Sequence, residues 1–282
     1  MRNCTSGTLL VQASLWFQAV LHLSKSLNHR FRITGGNTAA VLQLPGVVFK
    51  FSSHHSQLVQ TEALSCKRLQ QNDELKHRDK IVKLYRHLSV WQFDLLVLKE
   101  EGARTLKYYT VAGGKRLSES GIRQCFVDLL RVLHEMHVTA RLVHRDIKPE
   151  NICYGRQICL IDLGSAASLN EPTNWQSGST NKYDLPEMLL SETSAVSVAQ
   201  DLYPLAVIVY ELFEHRFPFA DSTQCRTLQE YLDNISRTRN THRPFVHTPK
   251  DLRPVLTKML SRRRLDRYPT AEAVLHALGT AI

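Results

Sequence analysis

Short runs in which apolar and polar residues alternate fill the first third of the chain, a pattern typical of β-strands. Residues 33–51 hold three such runs, separated by a glycine-containing turn at Gly35–Gly36 and a tight turn at Pro45–Gly46. The pattern predicts strand, turn, strand, turn, strand, with Lys50 among apolar residues near the end. Two interpretations remain open at this point. The stretch is either a hairpin that grips a phosphate or a hairpin whose lysine faces water.

The next segment changes period. Apolar residues at helical spacing predict a helix through Leu58–Leu69, and the charged stretch Gln70–Lys80 predicts a link. Two later apolar runs, Ile81–Tyr85 and Phe93–Leu98, predict strands. Lys99–Arg104 then predicts a connector.

The remaining two thirds follow mainly the helical period. Helices are predicted through Ile122–Leu133, around Asp201–Phe213, and from Thr270 to Leu278. The second is apolar on nearly every side, so we expect it to be buried. Thr270 is a suitable N-cap and Gly279 a suitable stop for the last helix. The pattern as a whole predicts an α+β fold with a small β-rich lobe, a connector and a larger helical lobe.

Composition changes this picture little. The chain has 282 residues, 43% of them hydrophobic, and a net charge of +10 with a pI near 9.4. A basic balance fits an anionic partner or simply a solvated surface, and no nucleic-acid-binding motif accompanies it. The six cysteines form no C-x-x-C pair or zinc spacing. They therefore suggest buried small residues in a reducing, cytoplasmic or nuclear compartment.

The N-terminal segment leaves alternatives open. No run reaches the roughly 18 apolar residues that a transmembrane helix needs. Leu9–Leu23 is mostly apolar, and no acidic residue occurs before Glu62. This composition suits a targeting segment or an amphipathic helix that packs on the domain, and the second is the interpretation we favour.

One later stretch carries recognisable chemistry. Leu142–Asn151 reads Leu-Val-His-Arg-Asp-Ile-Lys-Pro-Glu-Asn, and Asp162-Leu-Gly follows eleven residues after Asn151. The residues between them predict a short hairpin, which would bring Asn151 and Asp162 side by side. Two oxygen-bearing side chains suit a hard cation such as Mg²⁺. Asp146 would lie near them as a base or as a group that orients a nucleophile.

In this stretch the sequence resembles eukaryotic-type protein kinases. His144–Asn151 matches the catalytic loop of that family over its full length, and Asp162–Gly164 matches its metal-binding motif. The resemblance covers about residues 30–280 and implies the bilobal protein-kinase-like fold, with an antiparallel β-rich N-lobe that carries one long helix. The implied division is an N-terminal extension 1–29, N-lobe 30–98, hinge 99–103 and C-lobe 104–280.

The resemblance also implies the roles of several residues in phosphoryl transfer from ATP. Lys50 matches the lysine that holds the phosphates, and Glu62 matches the glutamate that pairs with it. Asp146 matches the residue that accepts the substrate proton, with Lys148 beside it. Asn151 and Asp162 match the Mg²⁺ ligands. The residues implied in structure or regulation are His144, Arg145, Gly164, Thr180, Glu187, Asp201 and Arg267.

A nucleotide site is implied by the same resemblance. The residues expected to contact ATP are Gly36, Ala39, Val41, Val48, Lys50, Leu98, Glu100 and Cys153. The glycine loop departs from the family, because Thr34 and Ala39 stand where glycine is usual. Both residues are small, so we expect close approach of the backbone to phosphate to be impaired rather than blocked. Leu163 replaces the commoner phenylalanine and fills the same apolar role.

Lys148 after Asp146, together with Thr180-x-x-Tyr183, resembles serine/threonine kinases more than tyrosine kinases. The expected activity is therefore transfer of the γ-phosphoryl of ATP to a protein serine or threonine, with ATP and protein substrates as partners and Mg²⁺ as the cation. The main alternative is a pseudokinase scaffold, which the weak glycine loop favours. A small-molecule phosphotransferase and a nucleic-acid-binding protein fit the residues less well.

Overall fold

The computed structural model describes residues 32–35, 39–53, 56–90, 93–101, 104–110, 115–169, 171–173, 183–185, 187, 194–219 and 242–281. The predicted extension 1–29 lies outside these residues. The chain divides into two compact units. The first comprises the described residues of Met1–His55 with Tyr85–Glu100, and the second comprises those of Ser56–Leu84 with Glu101–Ile282.

The described strands are short. They are β1 Arg32–Gly35, β2 Ala40–Leu44, β3 Val47–Ser53, β4 Leu84–Val90, β5 Phe93–Lys99, β6 Arg104–Thr105, β7 Leu142–Val143, β8 Ile152–Tyr154, β9 Ile158–Leu160, β10 Ala167–Ser168, β11 Pro172–Thr173 and β12 Ser194–Ala195.

The described helices carry most of the second unit. They are α1 Gln57–Gln70, α2 Lys107–Thr110, α3 Glu119–Val138, α4 Ala199–Glu214, α5 Arg253–Met259 and α6 Ala271–Ala277. Single 3₁₀ turns occur at Arg78–Lys80, Pro149–Asn151, Leu163–Ser165 and Arg264–Asp266.

The first unit holds a five-stranded sheet in which the described strands follow the order β1-β2-β3-β5-β4. The pairs β1–β2, β2–β3 and β3–β5 are antiparallel, as the turn-rich sequence predicts. The β2–β3 turn places Gly46 at φ 83°, a left-handed conformation that glycine adopts without steric cost. The three predicted strands and the turn at Pro45–Gly46 are therefore confirmed, whereas the predicted turn at Gly35–Gly36 falls partly outside the described residues, with Gly35 the last residue of β1.

The second unit is built around α4. Every residue of α4 is buried, which confirms the prediction from its all-round apolar sequence. Helix α3 packs on α4, α6 and β7, and its N-terminus is capped by Ser118, whose hydroxyl accepts the Gly121 N–H. At the start of α6, Thr270 Oγ1 accepts the Ala273 N–H at 3.1 Å, so the predicted N-cap is confirmed. Gly279 follows this helix at φ 67°, which suits the predicted stop.

The predicted strand at Ile81–Tyr85 is wrong in its position. The strand of the large sheet starts at Leu84 and continues to Val90. Ile81 and Val82 are buried instead because they reach β9: Ile81 forms a parallel bridge with Leu160, and the Val82 N–H donates to the Leu160 carbonyl oxygen at 2.9 Å. Their apolar character therefore reflects burial in the second unit rather than a place in the sheet.

Candidate active site

The loop that follows β7 is fixed by one buried carboxylate on α4. Asp201 Oδ2 accepts the His144 N–H at 2.9 Å, and Oδ1 accepts the Arg145 N–H at 2.8 Å. His137 Nε2, from the end of α3, lies 2.7 Å from Oδ2. Burial alone would raise the pKa of Asp201, yet the hydrogen bond from His137 and the backbone N–H donor of Arg145 hold it below its ordinary value. Asp201 is therefore an ionised anchor for the start of the loop.

The anchor holds a strained backbone. Arg145 has φ 68°, a left-handed conformation that is unusual for a residue with a side chain. Its N–H is committed to Asp201, and this bond stabilises the conformation. The turn brings the next residue, Asp146, to a half-buried position at the mouth of the loop.

Two side chains converge on Asp146. Lys148 Nζ lies 2.6 Å from Asp146 Oδ2, and both side chains are partly exposed, at 29% and 23%. Asn151 Nδ2 donates to both the backbone oxygen and Oδ2 of Asp146, each at 2.9 Å. The structure thus brings together the Asp146 carboxylate, the Lys148 ammonium group and an Asn151 amide that donates to the carboxylate.

The hairpin predicted between Asn151 and Asp162 is present. Strands β8 and β9 pair in antiparallel register, with Cys153 opposite Cys159, and the Ile161 N–H donates to the Asn151 carbonyl oxygen at 2.9 Å. Ile161 therefore lies across the hairpin from Asn151, and Asp162 directly follows Ile161 in the chain. The hairpin therefore sets the two candidate metal ligands at neighbouring positions.

The donor set suits Mg²⁺. Both hydrogen bonds of the Asn151 amide nitrogen go to Asp146, so this network assigns the oxygen Oδ1 as the atom available to a cation. Mg²⁺ is typically held by one or two protein oxygens together with water and phosphate. One amide oxygen from Asn151 and one carboxylate from Asp162 fit that requirement.

Asp162 has a left-handed backbone, with φ 62° and ψ 74°. The 3₁₀ turn Leu163–Ser165 follows it and packs against α1. A Cβ atom on Gly164 would lie 3.2 Å from the Leu58 carbonyl oxygen and 3.3 Å from Asp162 Oδ1. Glycine at this position therefore permits the close approach of α1 to the turn and to the Asp162 carboxylate.

Helix α1 carries Glu62, which is 1% exposed in the second unit. Lys50 lies in the first unit on β3, opposite Val41 on β2 and Leu96 on β5. Two register positions along β3, Val48 pairs with Leu98, which is buried at 6% exposure. The predicted nucleotide residues of this unit thus follow one another along the paired strands β2, β3 and β5.

Glu100 was expected to contact nucleotide, but its carboxylate has partners inside the sheet unit. Gln43 Nε2 donates to Oε1 at 2.9 Å, and the Gly46 N–H donates to Oε2 at 3.4 Å. The Glu100 N–H also donates to the Gly46 carbonyl oxygen. Because the carboxylate and the N–H of Glu100 both have partners, a contact of Glu100 with nucleotide would be made by its backbone carbonyl oxygen.

Four further residues of the predicted site remain to be placed. Cys153 is buried on β8, and Ala39 is buried just before β2. Gly36 and Thr180 lie outside the described residues.

Glu187 and Arg267, both implied in structure or regulation by the resemblance, lie in contact with each other. Arg267 Nη1 and Nη2 donate to Glu187 Oε1 and Oε2 at 2.8 and 2.9 Å, a bidentate arrangement. The same guanidinium donates to the carbonyl oxygens of Ser261 and Arg262 and lies 4.7 Å from the centre of the Tyr203 ring. Arg267 is 7% exposed, so these contacts form a largely buried link between Glu187 and a segment 80 residues later in the second unit.

Sequence reasoning missed two partners of this region. The Tyr183 hydroxyl donates to Glu211 Oε2 at 2.7 Å, and burial followed by the nearby Glu211 raises the pKa of Tyr183. His137 is the second, because its role depends on Asp201, 64 residues away. The sequence around Glu211 and His137 does not indicate these roles. A single glutamate in an apolar helix and a histidine near a helix end occur in many structural settings.

Comparison with known proteins accords with this geometry. Residues 45–278 match the protein kinase domain family. The chain is 30% identical over 231 residues to the serine/threonine-protein kinase PEPKR2 of Arabidopsis thaliana, covering 75% of this chain and 47% of that protein. It is 29% identical over 232 residues to the Aurora kinase of Schizosaccharomyces pombe, covering 79% and 61%. A tyrosine-protein kinase, MasK of Myxococcus xanthus, is 29% identical over 171 residues, covering 56% and 26%.

The matched regions thus span less than two thirds of each of these relatives. The family match extends over both compact units and confirms the α+β, bilobal protein-kinase-like fold class predicted from the sequence. Among the described helices, none has the length and apolar character needed to cross a membrane. The chain belongs to the eukaryotic-type protein kinase family.

Proposed function

We propose that this chain is an active serine/threonine protein kinase that transfers the γ-phosphoryl group of ATP to a hydroxyl group of a protein substrate. The observation that carries the proposal is the convergence on Asp146. Lys148 and Asn151 orient its carboxylate, and Asp201 anchors the loop that presents it. Phosphoryl transfer depends mainly on positioning and on charge stabilisation, and this loop supplies both.

The proposed reaction follows from these positions. The substrate hydroxyl oxygen forms a bond to the γ-phosphorus while the bond between that phosphorus and the bridging oxygen of ADP breaks. Asp146 orients the hydroxyl and accepts its proton. Lys148, which already lies 2.6 Å from Asp146, stabilises the negative charge on the transferring group. Bound Mg²⁺, held by Asn151 and Asp162, would supply further neutralisation of the phosphate charge.

Lys50 and Glu62 have the remaining proposed roles. Lys50 would hold the phosphates and Glu62 would orient Lys50, as the family resemblance implies. Burial of Glu62 at 1% exposure supports its having a charged partner, because an isolated buried carboxylate is costly.

Serine or threonine as the acceptor is supported by Lys148 two residues after Asp146 and by relatives such as PEPKR2. MasK, which is named a tyrosine-protein kinase, makes tyrosine the acceptor to test against. The missing glycines at Thr34 and Ala39 favour the second candidate function, a scaffold that binds nucleotide without efficient turnover.

One experiment separates these possibilities. The purified chain is incubated with radiolabelled ATP, Mg²⁺ and generic protein substrates, and the labelled amino acids are identified after hydrolysis. We expect phosphoserine and phosphothreonine from the wild type and almost no label from Asp146→Asn. Equal labelling by both proteins would overturn the catalytic proposal. Nucleotide binding without any transfer would favour the scaffold, and phosphotyrosine alone would overturn the acceptor class.

A further inference from the structure

The hairpin of β8 and β9 carries two cysteines at directly opposed positions. Cys153 on β8 pairs with Cys159 on β9 in antiparallel register. Two positions further along the same ladder, the Ile161 N–H donates to the Asn151 carbonyl oxygen at 2.9 Å. Hydrogen-bonded and non-hydrogen-bonded pairs alternate along an antiparallel ladder, so Cys153 and Cys159 occupy a hydrogen-bonded pair.

The separation of such a pair suits a disulfide bond. Residues opposed in this way have Cα atoms about 5.5 Å apart and side chains on the same face of the hairpin. Disulfides join Cα atoms that are roughly 4.4–6.8 Å apart. The Cβ atoms of opposed residues are about 4.5–5.5 Å apart and those of a disulfide roughly 3.5–4.5 Å, so closure requires the strands to approach by about 1 Å.

Both sulfurs are reduced in this structure. Among the described residues there are four cysteines, and none of them is in a disulfide. Cys153 is 7% exposed and Cys159 is 2% exposed. Cys159 Sγ lies 3.8 Å from the Leu160 carbonyl oxygen, to which its S–H group donates a weak hydrogen bond. Cys153 is therefore the more accessible of the two thiols to a small solute.

The other two described cysteines provide an internal comparison. Cys66 lies on α1 and Cys125 on α3, so neither has a residue opposite it on a paired strand. They are 0% and 2% exposed, and burial raises the pKa of Cys125 to about 12. A thiol of that kind stays protonated at neutral pH and reacts slowly, because the thiolate is the nucleophile.

We propose that Cys153 and Cys159 form a reversible disulfide when the protein meets hydrogen peroxide, and that this cross-link disturbs the hairpin that sets Asn151 and Asp162 at neighbouring positions. The cross-link itself does not depend on the proposed kinase function. Its consequence for Mg²⁺ and nucleotide rests on that function.

The chemistry balances with one peroxide molecule. The Cys153 thiolate attacks one peroxide oxygen, the O–O bond breaks, and the products are a sulfenic acid and, after proton uptake, water. The Cys159 thiolate then attacks the Cys153 sulfur and expels hydroxide, which takes up a proton to form a second water. Two thiols and one peroxide thus give one disulfide and two waters, and the electrons that the sulfurs lose reduce the peroxide oxygens. A small thiol reverses the bond by thiol–disulfide exchange.

The cross-link lies close to the candidate metal ligands along both strands. Cys153 is two residues after Asn151, and Cys159 is three residues before Asp162. Drawing the strands together at the cysteine pair shifts the adjacent hydrogen bond between Ile161 and Asn151. We therefore expect the oxidised hairpin to hold Mg²⁺ less well in the presence of nucleotide.

The test maps the cysteines of the full chain after treatment with hydrogen peroxide. Remaining thiols are alkylated, the protein is digested with trypsin without reduction, and the peptides are identified by mass spectrometry. Trypsin cuts after Arg156, between the two cysteines, so their peptides stay joined only if the disulfide has formed. Non-reducing electrophoresis checks that the bond lies within one chain.

We expect joined peptides from the wild type and from Cys125→Ser, a matched control at another buried thiol. Dithiothreitol should separate them. In Cys159→Ser the Cys153 sulfenic acid has no partner thiol, so dimedone should label it. Cys66 and Cys125 of the wild type should remain thiols throughout.

A second measurement follows binding of a fluorescent ATP analogue during a Mg²⁺ titration of the oxidised and the reduced wild type. Oxidation should raise the Mg²⁺ concentration for half-maximal nucleotide binding about tenfold, the effect typical of disturbing groups that orient metal ligands. Dithiothreitol should restore the reduced value.

Several outcomes would overturn the cross-link. These are separate peptides from the oxidised wild type, a bond from Cys153 or Cys159 to any other cysteine, or equal oxidation of Cys66 and Cys125, which would show general unfolding. The wild-type peptide map decides this even if Cys159→Ser does not fold. A cross-linked protein with an unchanged Mg²⁺ titration would overturn the effect on the metal ligands. If the cross-link forms but the reduced wild type binds no nucleotide, the disulfide stands and the proposed function fails.

Discussion

Asp201 and His137 share a 2.7 Å hydrogen bond at a site where Asp201 is completely buried. The same carboxylate accepts two backbone N–H groups of the loop that carries Asp146. We expect Asp201→Asn to lower the free energy of unfolding by about 3 kcal/mol, because an amide offers one acceptor oxygen to three donors and turns its NH₂ group toward one of them. Urea unfolding measures this loss.

The Asp201→Asn variant should also lose activity, because the loop loses its anchor while Asp146 itself is unchanged. Asp251→Asn, which alters an exposed carboxylate paired with Arg123, is the control and should stay within about 0.5 kcal/mol of the wild type. A stable Asp201→Asn protein with full phosphate transfer would contradict the anchoring role.

Arg267→Lys is expected to lower the free energy of unfolding by about 2–3 kcal/mol although it keeps the charge. Lysine cannot form the two hydrogen bonds to Glu187 at once, and it loses the cation–π contact of the guanidinium with the Tyr203 ring. Arg123→Lys tests the same substitution at the exposed bidentate pair with Asp251, and there we expect about 0.5 kcal/mol or less. Thermal unfolding of both variants compares them, and equal shifts of Tm would show that burial of Arg267 adds nothing.

The sequence predicts local structure well where the local signal is complete. The three strands from Arg32 to Ser53, the buried α4, the Thr270 cap and the hairpin before Asp162 all have period, turn residues or caps within a few positions. The strand β4 was misplaced because Ile81 and Val82 are apolar for another reason, their burial against Leu160. Periodicity cannot tell which neighbour buries an apolar residue.

Long-range polar partners were not predictable from the sequence. Asp128 and Glu135 look like ordinary solvated positions of an amphipathic helix, and their partners Lys80 and His77 lie 48 and 58 residues earlier. The hydrogen bond between Glu100 and Gln43 could not be predicted either, because the two residues are 57 positions apart in the sequence. The loop that carries Asp146 could be recognised because the residues that match the family are consecutive, whereas its contacts with distant residues could not be predicted.

The environment of the Glu214 carboxylate indicates how the free energy of unfolding should depend on pH. Its Oε1 accepts the N–H groups of Val246, His247 and Thr248 and the Thr248 hydroxyl. Burial alone would raise the pKa of Glu214, but the hydrogen bonds from Thr248 and the backbone lower it below the ordinary value of about 4.5. A lowered pKa in the folded state means that the stabilisation is complete above about 4.5 and is lost as the pH falls through the folded-state pKa.

We therefore expect Glu214→Gln to cost about 2 kcal/mol near neutral pH and progressively less as the solution is acidified. Urea unfolding of wild type and variant across a pH series measures the difference. Glu272→Gln, at an exposed carboxylate in the first turn of α6, is the control and should show no comparable convergence. A Glu214→Gln cost that is independent of pH would show that the ionised carboxylate is not what holds Val246–Thr248.

Asn151→Ala tests the candidate magnesium site. The substitution removes the oxygen proposed to bind Mg²⁺ and also the amide that holds Asp146. We expect the Mg²⁺ concentration for half-maximal nucleotide binding to rise about tenfold or more, because Mg²⁺ keeps few protein ligands and each contributes strongly. Binding of a fluorescent ATP analogue during a Mg²⁺ titration measures this without any turnover, so loss of Asp146 orientation does not affect the readout.

Asn72→Ala, at a turn asparagine whose Oδ1 accepts the Glu74 N–H, is the control and should leave the titration unchanged. An Asn151→Ala titration that superimposes on the wild type would remove Asn151 from the metal site, whereas a shift confined to Asn151→Ala would assign it there and leave Asp162 as the remaining protein ligand to test.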